Sequence, residues 1–144
     1  MELAQSKTSN KKRRKFSFKF VIIIFVILIL YMIYAMYFKE TPFLKSESPN
    51  KINQVEIMEY GNGLWNGPQK VNIYFKNPAK KILDKEQVKI ANTMRRNGQN
   101  QYELKWESDQ QIKITMKYEH ATEIVRYNFS TQEIRRSSAL EQNF

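Results

Sequence analysis

The sequence contains no cysteine and only one histidine, and both shortages exclude kinds of chemistry. Without cysteine the chain has no disulfide bond, no thiolate metal ligand, no cysteine nucleophile and no lipidated cysteine. The one histidine, His120, stands beside Glu119 in an expected turn, and a single histidine without cysteine or a dense carboxylate cluster does not predict a metal site or a general base. A glycine-rich phosphate loop and a GxSxG nucleophile motif are also missing. The sequence therefore predicts a protein that is not an enzyme and binds no metal or other cofactor.

A long apolar run is the most informative feature that the sequence does contain. Residues 20–38 carry no charge, no glycine and no proline, and as a helix they span about 28 Å, close to the hydrocarbon thickness of a bilayer. The run is longer than the core of a signal peptide, although Ala35 could end a cleavage site. Tyr31, Tyr34 and Tyr37 suit the aromatic belt at a membrane surface. These features favour an uncleaved single-span anchor over a cleaved signal peptide.

The net charge of +10 is concentrated on the N-terminal side of the apolar run. Residues 1–38 contain seven Lys or Arg and one acidic residue. Because basic residues beside a span stay in the cytoplasm, we expect the N-terminus inside and the C-terminal domain outside a cell membrane. The residues that set this topology are Lys11, Lys12, Arg13, Arg14, Lys15 and Lys19. Since topology explains this charge, we expect no nucleic acid partner, and an exported domain without cysteine favours a bacterial envelope.

Composition divides the chain into five parts. They are a basic cytoplasmic head (1–19), a transmembrane anchor (20–38), a flexible stalk (39–51), an extracytoplasmic α+β domain (52–134) and a disordered tail (135–144). Two prolines and two serines with alternating charge are the reason for predicting a stalk. A fragment from about Ser48 to Ile134 is expected to fold alone.

Apolar residues that alternate with period two predict five strands in the outer domain. These strands cover about 53–60, 70–76, 102–107, 112–118 and 125–129. Asn77-Pro78 is typical of a helix start and Gly98 of a helix end, so a helix is predicted between them. The expected fold class is α+β, a ββαβββ unit with one helix packed on a mainly antiparallel sheet and Trp106 on the buried face. This helix-then-meander layout resembles PepSY-like and cystatin-like envelope modules.

Two surface features are candidate binding sites. Leu64 and Trp65 lie among glycines at the tip of the first hairpin, where they either meet a protein partner or fold back onto the core. The predicted helix is basic, and its cations either contact an anionic surface or are simply solvated. Those cations are Lys80, Lys81, Lys85, Lys89, Arg95 and Arg96.

These features lead to two hypotheses about function. The leading one is a single-pass membrane-anchored envelope protein whose non-catalytic outer domain binds another envelope protein in an accessory, regulatory or assembly role. The alternative is a structural tether that contacts anionic envelope polymers or lipid head groups through the basic helix. Loss of binding at high salt would favour the tether, because salt screens exposed charges.

Overall fold

The structure is a computed structural model that describes residues 18–61, 69–92 and 96–140, without the side chain of Leu140. Its first element, α1, is a helix that spans Phe18–Tyr37 and covers nearly all of the predicted membrane segment. None of the α1 residues is buried by protein, and by length and composition the helix could cross a membrane or be a signal sequence. The chain divides into two compact units between Met32 and Ile33, so the last turn of α1 belongs to the unit that holds the strands.

In the part of the chain that the structure describes, eight antiparallel strands follow α1 and form two separate four-stranded meanders. The first sheet contains β1 (Glu40–Glu47), β2 (Gln54–Tyr60), β3 (Lys70–Lys76) and β4 (Ile82–Lys89), in that order. The second contains β5 (Tyr102–Ser108), β6 (Gln111–Lys117), β7 (Ala121–Asn128) and β8 (Glu133–Leu140), also in order. The α+β class is confirmed at this level. The ββαβββ order and the single sheet are not, because one helix precedes eight strands in two sheets.

The two sheets pack face to face around one apolar layer. The Phe75 ring on β3 stacks on the Tyr127 ring on β7 at a centroid distance of 3.9 Å. Trp106 faces the same layer, as predicted, and stacks on Phe129 while its Nε1–H donates to Ser46 Oγ at 2.9 Å. The buried apolar side chains are Val55, Ile57, Val71, Ile73, Phe75, Val88, Ile90, Tyr102, Ile112, Ile114, Met116, Tyr118, Ala121, Val125, Tyr127 and Phe129.

The sheets are stacked so that β1 lies over β5 and β4 lies over β8. Phe43 on β1 packs edge to face on Tyr102 of β5 at 5.1 Å, and Arg136 on β8 reaches Glu86 on β4. One end of the stack therefore holds the first residues of β1, β3, β5 and β7 and the last residues of β2, β4, β6 and β8. We call it the proximal end, because β1 starts there and only two residues separate β1 from the end of α1.

The predicted helix is wrong, because Ile82–Lys89 is strand β4, paired antiparallel with β3. Asn77-Pro78 starts a turn: the Lys80 N–H donates to the Asn77 carbonyl at 2.8 Å, and Lys80 has a φ of 60°. Asn followed by Pro suits the first two positions of a β-turn as well as a helix start. The resemblance to PepSY-like and cystatin-like modules depended on this helix and loses its basis.

The predicted stalk and tail are also strands for most of their length. Glu40–Glu47 is β1, and a bulge between Pro42 and Leu44 accommodates the proline at the sheet edge. Glu133–Leu140 is β8, paired with β7. Its inward positions include Arg136 and Ser138, so the strand lacks the apolar alternation that marks the central strands.

A cluster of hydrogen bonds on the outer face of the first sheet fixes the start of β1. The Glu40 carboxylate accepts hydrogen bonds from Asn72 Nδ2 at 2.5 Å and from the Tyr74 hydroxyl at 2.8 and 2.9 Å, and Lys85 Nζ lies 3.4 Å away. Partial burial alone raises the pKa of Glu40, but the hydrogen bonds from Tyr74 and Asn72 and the Lys85 charge outweigh it and lower the pKa below its usual value. This ionised carboxylate ties β1 to β3 and β4.

We predict that Tyr74→Phe destabilises the protein by about 1–2 kcal/mol at pH 7, because it removes a hydrogen bond to a charged group. The folded pKa of Glu40 is lowered, so its contribution is present above the unfolded pKa and is lost as the pH falls through the folded pKa. Urea unfolding at pH 7 and at acidic pH should therefore show the difference between wild type and variant shrinking in acid. Tyr60→Phe, on the same face of the sheet, is the matched control and should change little. A difference that is the same at both pH values would contradict this role for Glu40.

A second prediction concerns the limits of the folded domain. A fragment of residues 39–144 should unfold cooperatively in urea, whereas a fragment of residues 48–134 should not, because it lacks β1 and most of β8. Circular dichroism during urea titration measures both. Equal midpoints for the two fragments would show that these strands add nothing to stability.

Candidate anion-binding face

Four basic residues form a row across the outer face of the second sheet. Lys105 lies opposite Lys113, Lys113 opposite Arg126, and Arg126 opposite Arg135. Each strand of the sheet contributes one member. The flanking residues on β6 and β7, such as Ile112 and Ile114, point into the core, so the period of two forces these cations outward. We call these four residues the basic row.

In the basic row Lys105, Arg126 and Arg135 are exposed and Lys113 is half-buried, and the row is mostly without acidic partners. The Arg135 side chain is held by Glu133, with Nε–Oε1 at 2.8 Å and Nη2–Oε2 at 3.2 Å. Hydrogen bonds from Arg135 lower the pKa of the Glu133 carboxyl. Within the described ranges, Lys105, Lys113 and Arg126 have no ion pair. Like charges directly opposite each other on neighbouring strands repel, so the row has a stability cost that an anionic ligand would offset.

A shallow depression of about 220 Å³ lies at one end of the basic row. Two cations of the row, Arg126 and Arg135, are part of its wall. The other lining residues are Glu107, Gln111, Ile112, Tyr127, Asn128 and Glu133. Its polar wall offers both donors and acceptors next to the cations, which suits a charged and hydroxylated ligand better than an apolar one.

The basic row is far from the proximal end. Ala121 is the first residue of β7 at that end, and Arg126 comes five residues later. At about 3.4 Å per residue this separation is about 17 Å along β7, whereas Lys105 comes three residues after Tyr102, the proximal start of β5, which is about 10 Å. Both distances exceed the Debye length of about 8 Å at physiological salt, so salt screens the charges at the two places from each other.

The cations predicted to share one helix face lie at different parts of the domain. Lys80 and Lys81 are in the turn between β3 and β4 at the end opposite the proximal one, and Lys85 is engaged by Glu40. Lys89 is the last residue of β4, and Arg96 precedes the proximal start of β5. The helical basic face is therefore not formed.

The other predicted site residues fall mainly outside the described residues. Leu64, Trp65 and Arg95 are among them, so their roles stay predictions. Of the six topology cations, Lys19 lies in the first turn of α1. The remaining five, Lys11, Lys12, Arg13, Arg14 and Lys15, also lie outside the described residues.

A second polar cluster lies between the sheets on their open β4–β8 side, where Glu123 is buried and Arg136 and Ser138 are exposed. The buried Glu123 carboxylate accepts hydrogen bonds from Arg136 Nε at 3.1 Å and from Ser138 Oγ at 2.7 Å, and Arg136 Nη1 also lies 3.5 Å from Glu86. The hydrogen bond to Glu123 raises the pKa of Arg136. This cluster closes the open side of the stacked sheets. Because its charges are paired with one another, it is not a ligand site.

Two tyrosines form a further buried contact near the proximal end. The hydroxyls of Tyr102 and Tyr118 are 3.0 Å apart, and the Tyr102 hydroxyl donates to Asn97 Oδ1 at 2.9 Å. Burial raises the pKa of Tyr102 to about 12 and also raises the pKa of Tyr118. Both hydroxyls therefore stay neutral at physiological pH and act as structural hydrogen-bonding groups.

The described residues contain no group of three or more histidine or acidic side chains that could hold a metal ion. His120 lies in the exposed turn between β6 and β7, where its backbone N–H donates to the Ala91 carbonyl at 3.1 Å. The basic row is the arrangement of side chains in these residues that is suited to bind anions.

No family model, no curated protein and no solved structure matches the chain. The assignment of a function therefore rests on the geometry of the chain itself.

The basic row was missed from the sequence, although two of its pairings follow from turn lengths. Lys117 lies opposite Thr122 and Asn128 lies opposite Glu133, and counting back along these strands places Lys113 opposite Arg126 and Arg126 opposite Arg135. Across the two-residue turn between Ser108 and Gln111, the same count places Lys105 opposite Ile114, and only a bulge between Trp106 and Ser108 brings Lys105 opposite Lys113. The alternation of period two places Lys105 and Lys113 on the solvent face of the predicted sheet, but it does not give the register that joins them.

Proposed function

We propose that the protein is a single-pass, membrane-anchored envelope protein whose outer domain binds an anionic polymer through the basic row. The observation that supports this function is the alignment of four cations on four neighbouring strands, three of them without an ion pair among the described residues. The proposed partner is a polymer of the cell envelope with repeated phosphate or carboxylate groups. The role is binding rather than catalysis.

The anchor and its topology are supported by α1 and by the charges before it. The helix of 20 residues is long enough to cross a bilayer, and the basic residues precede it. In this proposal α1 is not cleaved, the N-terminus is cytoplasmic and the stacked sheets are outside a bacterial cell membrane. Nucleic acid is then on the wrong side of the membrane to be the ligand.

The dimensions of the basic row favour an extended ligand. Neighbouring strands are about 4.8 Å apart, so four cations on four strands cover about 14 Å. A line of positive charges of this length matches several successive anionic groups of a polymer better than one small anion. The distance of about 10–17 Å from the proximal end also favours a polymer over the head groups of the anchoring membrane.

This proposal keeps the anionic partner of the alternative hypothesis, but it assigns the binding to the basic row instead of a basic helix. Recognition of another envelope protein by Leu64 and Trp65 stays a prediction, because both residues lie outside the described residues. The two hypotheses differ in salt dependence, since only the polymer complex is held mainly by exposed charges.

We predict that Lys113→Glu combined with Arg126→Glu weakens binding of inorganic polyphosphate about tenfold or more, which corresponds to about 1.4 kcal/mol. Replacing two central cations by anions both removes attraction and adds repulsion. Binding is measured with full-length protein in nanodiscs of phosphatidylcholine, a lipid without net charge, at two salt concentrations. The wild-type affinity should fall at the higher salt.

The matched control is Lys80→Glu combined with Lys81→Glu. It makes the same change in net charge at exposed residues away from the basic row, and binding should change by less than about threefold. Equal losses in the two double variants would show that only net charge matters and would reject the basic row as a site. Unchanged binding in the Lys113 and Arg126 variant would reject it as well.

The topology is tested separately with protease added to intact spheroplasts. The outer domain after Lys39 should be digested, whereas an epitope at the N-terminus should be protected until the cells are lysed. A C-terminal epitope that resists protease until lysis would reverse the proposed orientation. Release of the soluble domain from untreated cells would show that the apolar segment is a cleaved signal peptide.

A further inference from the structure

The connection between α1 and the first strand is short. Only Phe38 and Lys39 separate Tyr37, the last residue of α1, from Glu40, the first residue of β1. Three Cα–Cα steps cover at most about 11 Å. The polar layer on each side of a bilayer is about 5–8 Å thick. If α1 crosses the membrane, β1 therefore starts within the head groups or just above them.

Backbone contacts hold this connection against the stacked sheets. The Gly61 N–H, directly after β2, donates to the Lys39 carbonyl at 3.0 Å. Gly61 has a φ of 75°, and a Cβ there would lie 3.1 Å from the Met36 carbonyl oxygen and 3.4 Å from that of Tyr37. Glycine is thus the residue that lets β2 end directly against the last turn of α1. The proximal end is kept close to the point where the chain leaves the helix.

Four exposed cations lie at this end. Lys70 and Lys89 lie directly opposite each other on β3 and β4, an unfavourable pairing of like charges. Lys39 and Arg96 are exposed nearby in the chain's connections. Within the described ranges, none of these four residues has an ion pair. We call Lys39, Lys70, Lys89 and Arg96 the proximal patch.

The acidic residues near the proximal patch do not neutralise it. Glu40 is paired with Lys85 at 3.4 Å, whereas Glu59 keeps its negative charge because its hydrogen-bond donor, Asn97 Nδ2, is neutral. Glu119, in the turn between β6 and β7, adds a second negative charge, so the four cations of the patch outnumber the two anions. Glu103 faces Lys117 at 3.9 Å, which leaves that pair neutral. The proximal end therefore keeps an excess of positive charge.

We propose that the proximal patch docks on anionic phospholipid head groups of the membrane that α1 crosses. This inference rests on the proposed membrane span. Each Lys or Arg close to an anionic surface adds to the attraction, and the covalent connection of two residues supplies a high local concentration of lipid. The polymer-binding row is not part of this surface, because it lies about 10–17 Å further along the strands.

The absence of cysteine makes a direct test possible, since one introduced cysteine carries one label. Asn100→Cys places a fluorophore near the proximal end, and Thr131→Cys places one in the turn before β8 at the other end. Full-length labelled protein is incorporated into nanodiscs that contain a head-group quencher. The lipid is either phosphatidylcholine alone or a mixture with about one-third phosphatidylglycerol.

Quenching at residue 100 should increase when phosphatidylglycerol is present and return towards the neutral-lipid value in about 1 M salt, where the Debye length is about 3 Å. Lys70→Glu with Lys89→Glu should remove at least about half of that increase. Lys80→Glu with Lys81→Glu, at the other end, should preserve it. Quenching at residue 131 should stay lower than at residue 100 in both lipids.

Several results would overturn the inference. Quenching at residue 100 that does not depend on lipid charge would show that the patch does not dock, and so would an increase that survives Lys70→Glu with Lys89→Glu. Failure of the full chain to enter nanodiscs would instead reject the membrane span itself. The first two outcomes leave the proposed anchor and the polymer-binding row intact, so the two kinds of failure are distinguishable.

Discussion

The apolar layer between the two sheets is the interaction on which the rest of the outer domain depends. With no cysteine in the chain, contacts such as the stacking of Phe75 on Tyr127 hold the two meanders together. Burial of each large apolar side chain contributes about 1.5–3 kcal/mol. Because every central strand directs one face to this layer, its other face is left to charged residues. The basic row is thus a direct consequence of the packing that stabilises the fold.

This dependence explains which strands the sequence revealed. The five predicted strands place apolar residues inward at alternate positions, as Ile112 and Ile114 do in β6. The missed strands β1, β4 and β8 lie at sheet edges, where inward side chains reach the open side of the stack. Glu86 and Arg136 therefore occupy inward positions and pair across the gap. A pattern of apolar alternation cannot identify strands whose inward residues are ions.

The candidate site was less accessible to prediction than the fold, for a related reason. Charges on a helix face follow from sequence spacing alone, so Lys80 to Arg96 suggested a basic face once a helix was assumed. Charges on a sheet meet only through the register of neighbouring strands, which turns and bulges determine. The bulge after Trp106 shows how one extra residue changes that register. The sequence contains the cations of the row without the information that aligns them.

The proposals assign different physical roles to the two basic surfaces because the connection after α1 is so short. A domain on a long flexible stalk would present any of its faces to the membrane, and its basic row could bind lipid as readily as polymer. Here the backbone of Gly61 packs on the last turn of α1, and only two residues separate the end of α1 from the start of β1. The proximal patch is therefore the surface with the shortest path to the bilayer. Neutralisation of that patch by lipid would leave the row as an exposed positive surface of the second sheet, screened from the membrane charges by salt. Under the two proposals, the short connection thus keeps lipid contact and polymer binding on separate surfaces of one small domain.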